Sequence, residues 1–202
     1  MGALRTGTSL ISTAILAGLV LIGLDGPRSP LTNLMPLTIW TVFWIALVTV
    51  AGVAGDLWRW INPWSGVLRI IGQGVPILRL PQGLGVWPAT IIMASFFAFL
   101  LADVAPDDPA RLAWLIGSYW VMTLAALILF GDDWMQRGEA ASVLFRVFGD
   151  LSAVRFGGQA GIGAPGWRLV ERPADISIAI FALLLLGAGS FDGLNETFWW
   201  LA

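Results

Sequence analysis

The chain has 202 residues, of which 57% are hydrophobic and only 12% are charged. Soluble proteins carry about 25% charged residues because their surfaces face water, so this composition excludes a soluble domain and indicates a membrane protein. All 11 basic residues are arginines, and cysteine and histidine are absent, which excludes disulfides, lysine Schiff bases and imidazole ligation. We therefore expect no metal or cofactor, and the net charge of −2 disfavours a nucleic-acid partner.

Five intervals between charged residues are long and apolar enough to cross a bilayer, which takes about 20 residues of helix. We predict an all-α, polytopic membrane helix bundle, with all 202 residues in one integral membrane domain. The predicted spans are approximately Thr8–Leu24, Leu37–Asp56, Val86–Ala102, Pro109–Phe130 and Ala174–Phe191.

The first span has two interpretations. Arg5 followed by an apolar run is typical of a secretory signal peptide. Small residues are not well placed at the −3 and −1 cleavage positions in Ile22-Gly23-Leu24-Asp25-Gly26, so we expect a retained transmembrane helix.

The Asp56–Trp64 turn after the second span carries the densest group of polar and aromatic residues. Asp56 and Arg59 are three residues apart, a spacing at which opposite charges on a helix can pair. One interpretation is a structural end of the span, held at the headgroups by tryptophans; the other is a headgroup or anion site. The residues expected to contact headgroups are Trp58, Arg59, Trp60, Trp64, Arg69 and Arg146.

Two short amphipathic helices are predicted in the loops after the second and fourth spans. Asn62 and Pro63 form a cap and first helical position for the first one. In the second, apolar residues from Ala140 to Leu151 repeat at helical spacing, with Glu139 and Asp150 on another face. We expect both helices to lie in the cytoplasmic interface, apolar side down; for the second, the apolar stripe Val143–Leu151 is expected in the interface or against the ends of neighbouring spans. The glycine-rich stretch 157–166 is expected to be irregular.

Three carboxylates are weak candidates for chemistry. Asp192 and Glu196 can bind a hard cation or act as an acid and base pair, although Asp-Gly and Ser/Asn sequences are also ordinary in turns. Asp56 is the third candidate. Asp108 and Pro109 are interpreted as the cap and first residue of the fourth span.

The arginines predict the orientation. With five spans, nine arginines fall on the side of the N-terminus and two, Arg28 and Arg111, on the other. Since arginine is enriched in cytoplasmic loops, the N-terminus is predicted to be cytoplasmic. The centres of the spans contain no ionisable residue, which argues against a transporter or pump.

Four blocks of the sequence resemble bacterial integral membrane proteins named fenitrothion hydrolase. They are GDLWRWINPWSG at 55–66, LPQGLGVWPA at 80–89, RGEAASVLFRVFGDLSAV at 137–154 and LLLLGAGSFDGLNETFWW at 183–200. The resemblance extends from about Leu37 onward, and implies a bacterial inner-membrane protein that hydrolyses a phosphorothioate ester. Members of the family are longer, so we expect this chain to be a shortened member.

Two classes of function follow from these observations. A hydrolase needs a metal or a tuned base to activate water, whereas the predicted topology places Asp56 opposite to Asp192 and Glu196. A non-catalytic accessory or scaffold subunit, contacting lipids and partner helices of a larger membrane assembly, requires no such site. We expect the second class; the alternatives are a phosphotriester hydrolase, or a lipid-binding or transport role.

Overall fold

The computed structural model describes residues 2–72, 76–155, 161–171 and 175–195. Five of its helices are long and apolar enough to span a membrane, so the predicted all-α membrane bundle is confirmed. In chain order, the elements are α1 (Gly2–Asp25), α2 (Leu34–Pro36), a π-helical stretch (Leu37–Leu47), α3 (Val48–Ala54), α4 (Trp58–Ile61), α5 (Ser65–Ile71), a 3₁₀ turn (Gln82–Leu84), α6 (Trp87–Ala102), α7 (Pro109–Phe130), α8 (Asp132–Arg137), α9 (Ala140–Leu151), β1 (Val154–Arg155), β2 (Gly161–Ile162), α10 (Trp167–Val170) and α11 (Ile176–Asn195).

The span bounds differ from the predicted ones for local reasons. Residues Leu34–Ala54 form one continuous helix, the second span, which stops before Asp56 because Gly55 has a φ of 92°. A positive φ ends a helix and is adopted freely only by glycine. At the other end of the chain, the predicted start of the fifth span at Ala174 lies outside the described residues. The first described residues there are Asp175 and then α11.

Helix α1 begins at Gly2, six residues earlier than predicted. The hydroxyl of Thr6 donates to the carbonyl of Gly2, four residues back, at 2.9 Å. The guanidinium of Arg5 donates to the carbonyl of Arg59 at 2.9 Å. Contacts within and outside the helix therefore stabilise these first turns.

The α4–α5 segment packs along the first part of α1. The Ser9 hydroxyl accepts a hydrogen bond from the Gly66 amide at 2.8 Å, and the Thr13 hydroxyl donates to the Pro63 carbonyl at 2.8 Å. Arg69 returns to the start of α1, donating to the Gly2 carbonyl at 2.6 Å. From Gly2 to Thr13 is about 17 Å of helix, so this segment enters deeply between the helices.

Helices α8 and α9 also turn back into the bundle. Glu139, between them, hydrogen-bonds Tyr119, which lies eleven residues, or about 17 Å, before the end of α7. From there α9 runs outward until Gly149 meets Asp56, where a Cβ on Gly149 would lie 2.7 Å from the Asp56 nitrogen. This loop therefore reaches the level of the middle of α7.

The position of α9 decides between the two placements expected from the sequence, the interface and the neighbouring spans, in favour of the spans. The helix has the expected bounds, but Val143, Leu144 and Phe145 are at most 1% exposed. Their neighbours are other helices of the bundle, chiefly α3 and α6. The apolar stripe therefore packs against protein instead of facing lipid.

Apolar side chains on the outward faces of the long helices stay exposed. A membrane-embedded bundle presents such faces to the hydrocarbon of the lipid, and we take these faces as the lipid-contacting surface. Examples are Ile11 and Ile15 on α1, Trp114 and Val121 on α7, and Leu183 and Leu186 on α11. Gly161–Ile162, in the stretch expected to be irregular, pairs antiparallel with Val154–Arg155.

Candidate functional site

Glu139 is the most unusual group in the described part of the chain, since it is a carboxylate with 0% exposure. It is the N-cap of α9, and its side chain accepts hydrogen bonds from the backbone amides of Ala141 and Ser142. The N-terminus of a helix favours negative charge because its first amides lack partners and its dipole is positive there. The turn between α8 and α9 thus provides local compensation for a buried acid.

Side chains from two other elements donate the remaining hydrogen bonds to this carboxylate. The Tyr119 hydroxyl on α7 donates to Oε1, and the Trp58 indole on α4 donates to Oε2 at 3.1 Å. Each oxygen therefore accepts two hydrogen bonds, as an ionised carboxylate can. We call Glu139, Tyr119, Trp58 and the two amides the carboxylate cluster; it joins α4, α7 and α9.

Aromatic rings surround the carboxylate cluster. Trp58 stacks on Phe145 of α9, with ring centroids 5.1 Å apart, and Phe43 of the second span meets the Trp58 ring edge-on at 5.5 Å. Trp64 meets Tyr119 edge-on at 5.8 Å and donates its indole N–H to the Trp120 carbonyl at 3.0 Å. Water is thereby displaced from the carboxylate, and the polar atoms of the rings are bonded.

The burial of two tryptophans corrects their expected contact with headgroups. Trp58 is 9% exposed and Trp64 only 2%, because α4 and the following turn enter the bundle. Trp60 is half-buried at the bundle end, where the guanidinium groups of Arg5 and Arg59 lie 5.9 and 5.7 Å from its ring centre. Of the three, Trp60 has the position expected of a residue near headgroups.

The other residues of the Asp56–Trp64 turn shape the backbone. Asp56 accepts a long hydrogen bond, 3.4 Å, from the Arg59 amide, and the Asn62 side chain accepts from the Ser65 amide at 3.0 Å. Burial raises the pKa of Asp56, against the opposing effect of the Arg59 amide and charge. Pro63 is buried at the tip of the turn.

The remaining candidates are dispersed. Arg69 is exposed and bonded to α1, and Arg146 donates to the Gln136 carbonyl at 2.6 Å. Asp108 caps α7 by accepting from the Arg111 amide, and Pro109 follows in the first turn. Asp192 is exposed on α11, and Glu196 lies outside the described residues.

The structure does not bring Asp56 and Asp192 together. Helix α11 begins beside the start of α6, where the Ser177 hydroxyl accepts from the Val86 amide at 2.9 Å. Asp192 follows sixteen residues, or about 24 Å, later. In the described ranges no three acidic residues are grouped closely enough to hold a metal ion.

Two apolar cavities flank the carboxylate cluster. The first, of about 260 Å³, lies between the second span, α6, α7 and the start of α9. The second, of about 250 Å³, lies between α1, the second span, α4 and α7. Phe43, Phe96, Ile116, Tyr119 and Ala141 line both, so these residues separate two apolar chambers.

Reasoning from the sequence missed Glu139 and Tyr119. Glu139 was placed on the polar face of an interfacial helix, although it directly precedes an Ala-Ala-Ser helix start. An acidic residue at a helix start is one signal. The single tyrosine of the chain in the middle of a span is another, because a buried tyrosine hydroxyl usually finds a hydrogen-bond partner. The Glu139 and Tyr119 side chains meet because the chain turns back into the bundle at α8. No local sequence pattern indicates that turn.

Comparison with known proteins finds no match to a protein-family model, a curated protein or a solved structure.

Proposed function

We propose that this protein is a non-catalytic accessory or scaffold subunit of a larger assembly in the bacterial inner membrane. Unused small residues on the outside of its long helices carry the proposal. At Gly18, Gly52, Gly187 and Gly189, no heavy atom from elsewhere in the described residues lies within 4 Å of the position that a Cβ would take. Packing within the described chain therefore does not explain these glycines.

A partner helix explains them. Glycine inside a helix costs about 1 kcal/mol relative to alanine. In membranes, small residues allow two helix backbones to approach closely and pack. Gly187 and Gly189 lie on α11, beside the exposed side chains of Leu183 and Leu186. We propose that this surface meets a helix of another subunit.

The hydrogen bonds that the buried Glu139 accepts also support a non-catalytic role. All four hydrogen-bond positions of Glu139 are taken by groups of the protein itself. A general base must reach a proton of the substrate or of a water. The carboxylate cluster thus serves assembly of the bundle.

Native mass measurement in mild detergent tests the proposal. We expect the wild-type chain to be found with other subunits, and Gly187→Leu to release it as a monomer, because the larger side chain blocks close approach. Val121→Phe, an enlargement on the exposed side of α7, is the control and should leave the complex intact. A wild-type chain that is a lone monomer would contradict the proposal.

The cytoplasmic placement of the N-terminus rests on the arginine distribution, nine residues against two. The contacts of Arg5, Arg59 and Arg69 gather at the start of α1. Arg111 pairs with Asp103 at the start of α7, with 2.6 Å between the charged atoms. We propose that the first group faces the cytoplasm.

A second candidate is the phosphotriester hydrolysis that the resemblance to the fenitrothion hydrolase family implies. The observation in its favour is the raised pKa of Asp56, caused by burial, since a base works best with a pKa near the operating pH. Loss of triester hydrolysis in Asp56→Asn, with the fold and melting temperature unchanged, would favour the hydrolase over the subunit.

A further inference from the structure

The cavity between α1 and the second span, of about 250 Å³, is elongated along the second span. It extends along the second span from Thr38 to Leu47, which is nine residues or about 14 Å of helix. The hydrocarbon core of a bilayer is about 30 Å thick, so the cavity is as long as one leaflet is deep. We call it the α1–span 2 groove.

The groove is apolar along its length and floored by rigid rings. Ile15 and Leu16 of α1 face Val42 and Leu47 of the second span, and Trp64 and Trp120 lie beneath. Val42 is 47% exposed, so the groove opens on the outside of the bundle. An apolar chain can enter it sideways from the lipid.

Two arginines lie at one end of this groove. Arg5 and Arg59 both place their guanidinium carbon less than 6 Å from the ring centre of Trp60. Ile61, two residues after Arg59, lines the groove, as does Ser12, seven residues or about 10 Å along α1 from Arg5. Asp56 lies beside Arg59, and the charges of Arg59 and Arg146 both act on it.

We propose that this groove binds one anionic phospholipid, with an acyl chain between α1 and the second span and the phosphate at Arg5 and Arg59. Guanidinium groups recognise phosphate oxygens through charge-assisted hydrogen bonds. Anionic lipids are attracted by basic residues near the membrane surface. The inference goes beyond the proposed function and holds whatever the number of subunits.

Native mass measurement of the detergent-solubilised full chain tests the site. The added probes are dioleoyl phosphatidylglycerol and dioleoyl phosphatidylcholine, which share their acyl chains and differ in headgroup charge. We expect wild type to retain the anionic lipid preferentially. Arg5→Gln with Arg59→Gln should lower that retention by about 25-fold, from roughly fivefold for each arginine.

Two controls separate charge from general lipid adhesion. Arg28→Gln removes an exposed arginine beyond the other end of α1 and should retain the lipid. Val42→Phe fills the groove and should reduce retention, whereas Val121→Phe, on the exposed side of α7, should not. The same spectra count protein chains, so a monomer that retains the lipid fails the subunit proposal alone.

Two results would overturn the lipid site. One is equal retention of the two lipids by wild type, or unchanged preference in the double arginine variant. The other is a second protein chain, instead of lipid, that is lost in Val42→Phe. Either result leaves the subunit proposal to be judged by the number of chains.

Discussion

At the scale of single residues, Glu139 shows how this protein accommodates charge away from water. An unpaired buried carboxylate is very costly, because desolvation opposes the charged form. Here two helix amides, one indole and one phenol replace the lost water. Three of these four donors cannot act as acceptors, so the cluster requires an oxygen at both positions.

This geometry makes a prediction for Glu139→Gln. The amide nitrogen of glutamine would face at least one N–H donor in either orientation, and one hydrogen bond at least would be lost. We expect the free energy of unfolding to fall by about 3 kcal/mol, since a hydrogen bond to a charged group contributes about 1.5 to 3 kcal/mol. Thermal unfolding in detergent measures the loss.

Asp133→Asn, a change of an exposed acid on α8, serves as the control and should shift the melting temperature little. Equal melting temperatures for wild type and Glu139→Gln would show that the carboxylate cluster contributes nothing to the fold. The fully bonded Glu139 would then no longer support the subunit proposal.

At the scale of elements, α9 is a short helix whose buried first turns and exposed last residue have different surroundings. Leu144 is 1% exposed, whereas Leu151 at the end of the same helix is 40% exposed. Removing methyl groups from a packed interior costs the transfer free energy and leaves a cavity. The same change at an exposed position loses little transfer free energy and leaves no cavity.

The prediction compares two identical substitutions in this one helix. Leu144→Ala should lower the free energy of unfolding by about 2 to 5 kcal/mol, and Leu151→Ala should change it by about 0.5 kcal/mol or less. Chemical unfolding in the same detergent provides both values. Equally small losses of unfolding free energy in the two variants would place the whole of α9 on the surface of the bundle.

At the scale of the whole molecule, the distribution of charge predicts how the bundle sits in the membrane. Arg79 and Gln82 precede α6 at one end, and Asp107 precedes α7 at the other. The exposed Gln82 and Asp107 side chains are suitable labelling positions, and a chain without cysteine gives no background.

Under the proposed orientation, Gln82→Cys should react with a membrane-impermeant maleimide only in inverted vesicles. Asp107→Cys should react only in intact spheroplasts. Reactivity on the reversed sides would refute a cytoplasmic N-terminus, and reactivity of both on one side would refute the alternation of the spans.

Much of the fold could be predicted from the sequence because its causes are local. An interval without charges, about as long as a bilayer is thick, forms a helix wherever it lies in the chain. All five such intervals became long helices, with bounds shifted by Gly55 or by contacts of Arg5 and Thr6. The amphipathic period likewise predicted α9 at its observed bounds.

The candidate site could not be predicted, because it joins residues far apart in the chain. Trp58, Tyr119 and Glu139 come from three elements, and each local pattern favoured a different place: the interface, a span, a polar face. Only the return of α8 and α9 into the bundle brings the three side chains together. Apolar periodicity indicates that a helix face is shielded from water, but it does not distinguish a face that contacts lipid from one that contacts protein. Local chemistry therefore determined the helices, and the packing of distant segments decided which tryptophans and which acid lie inside.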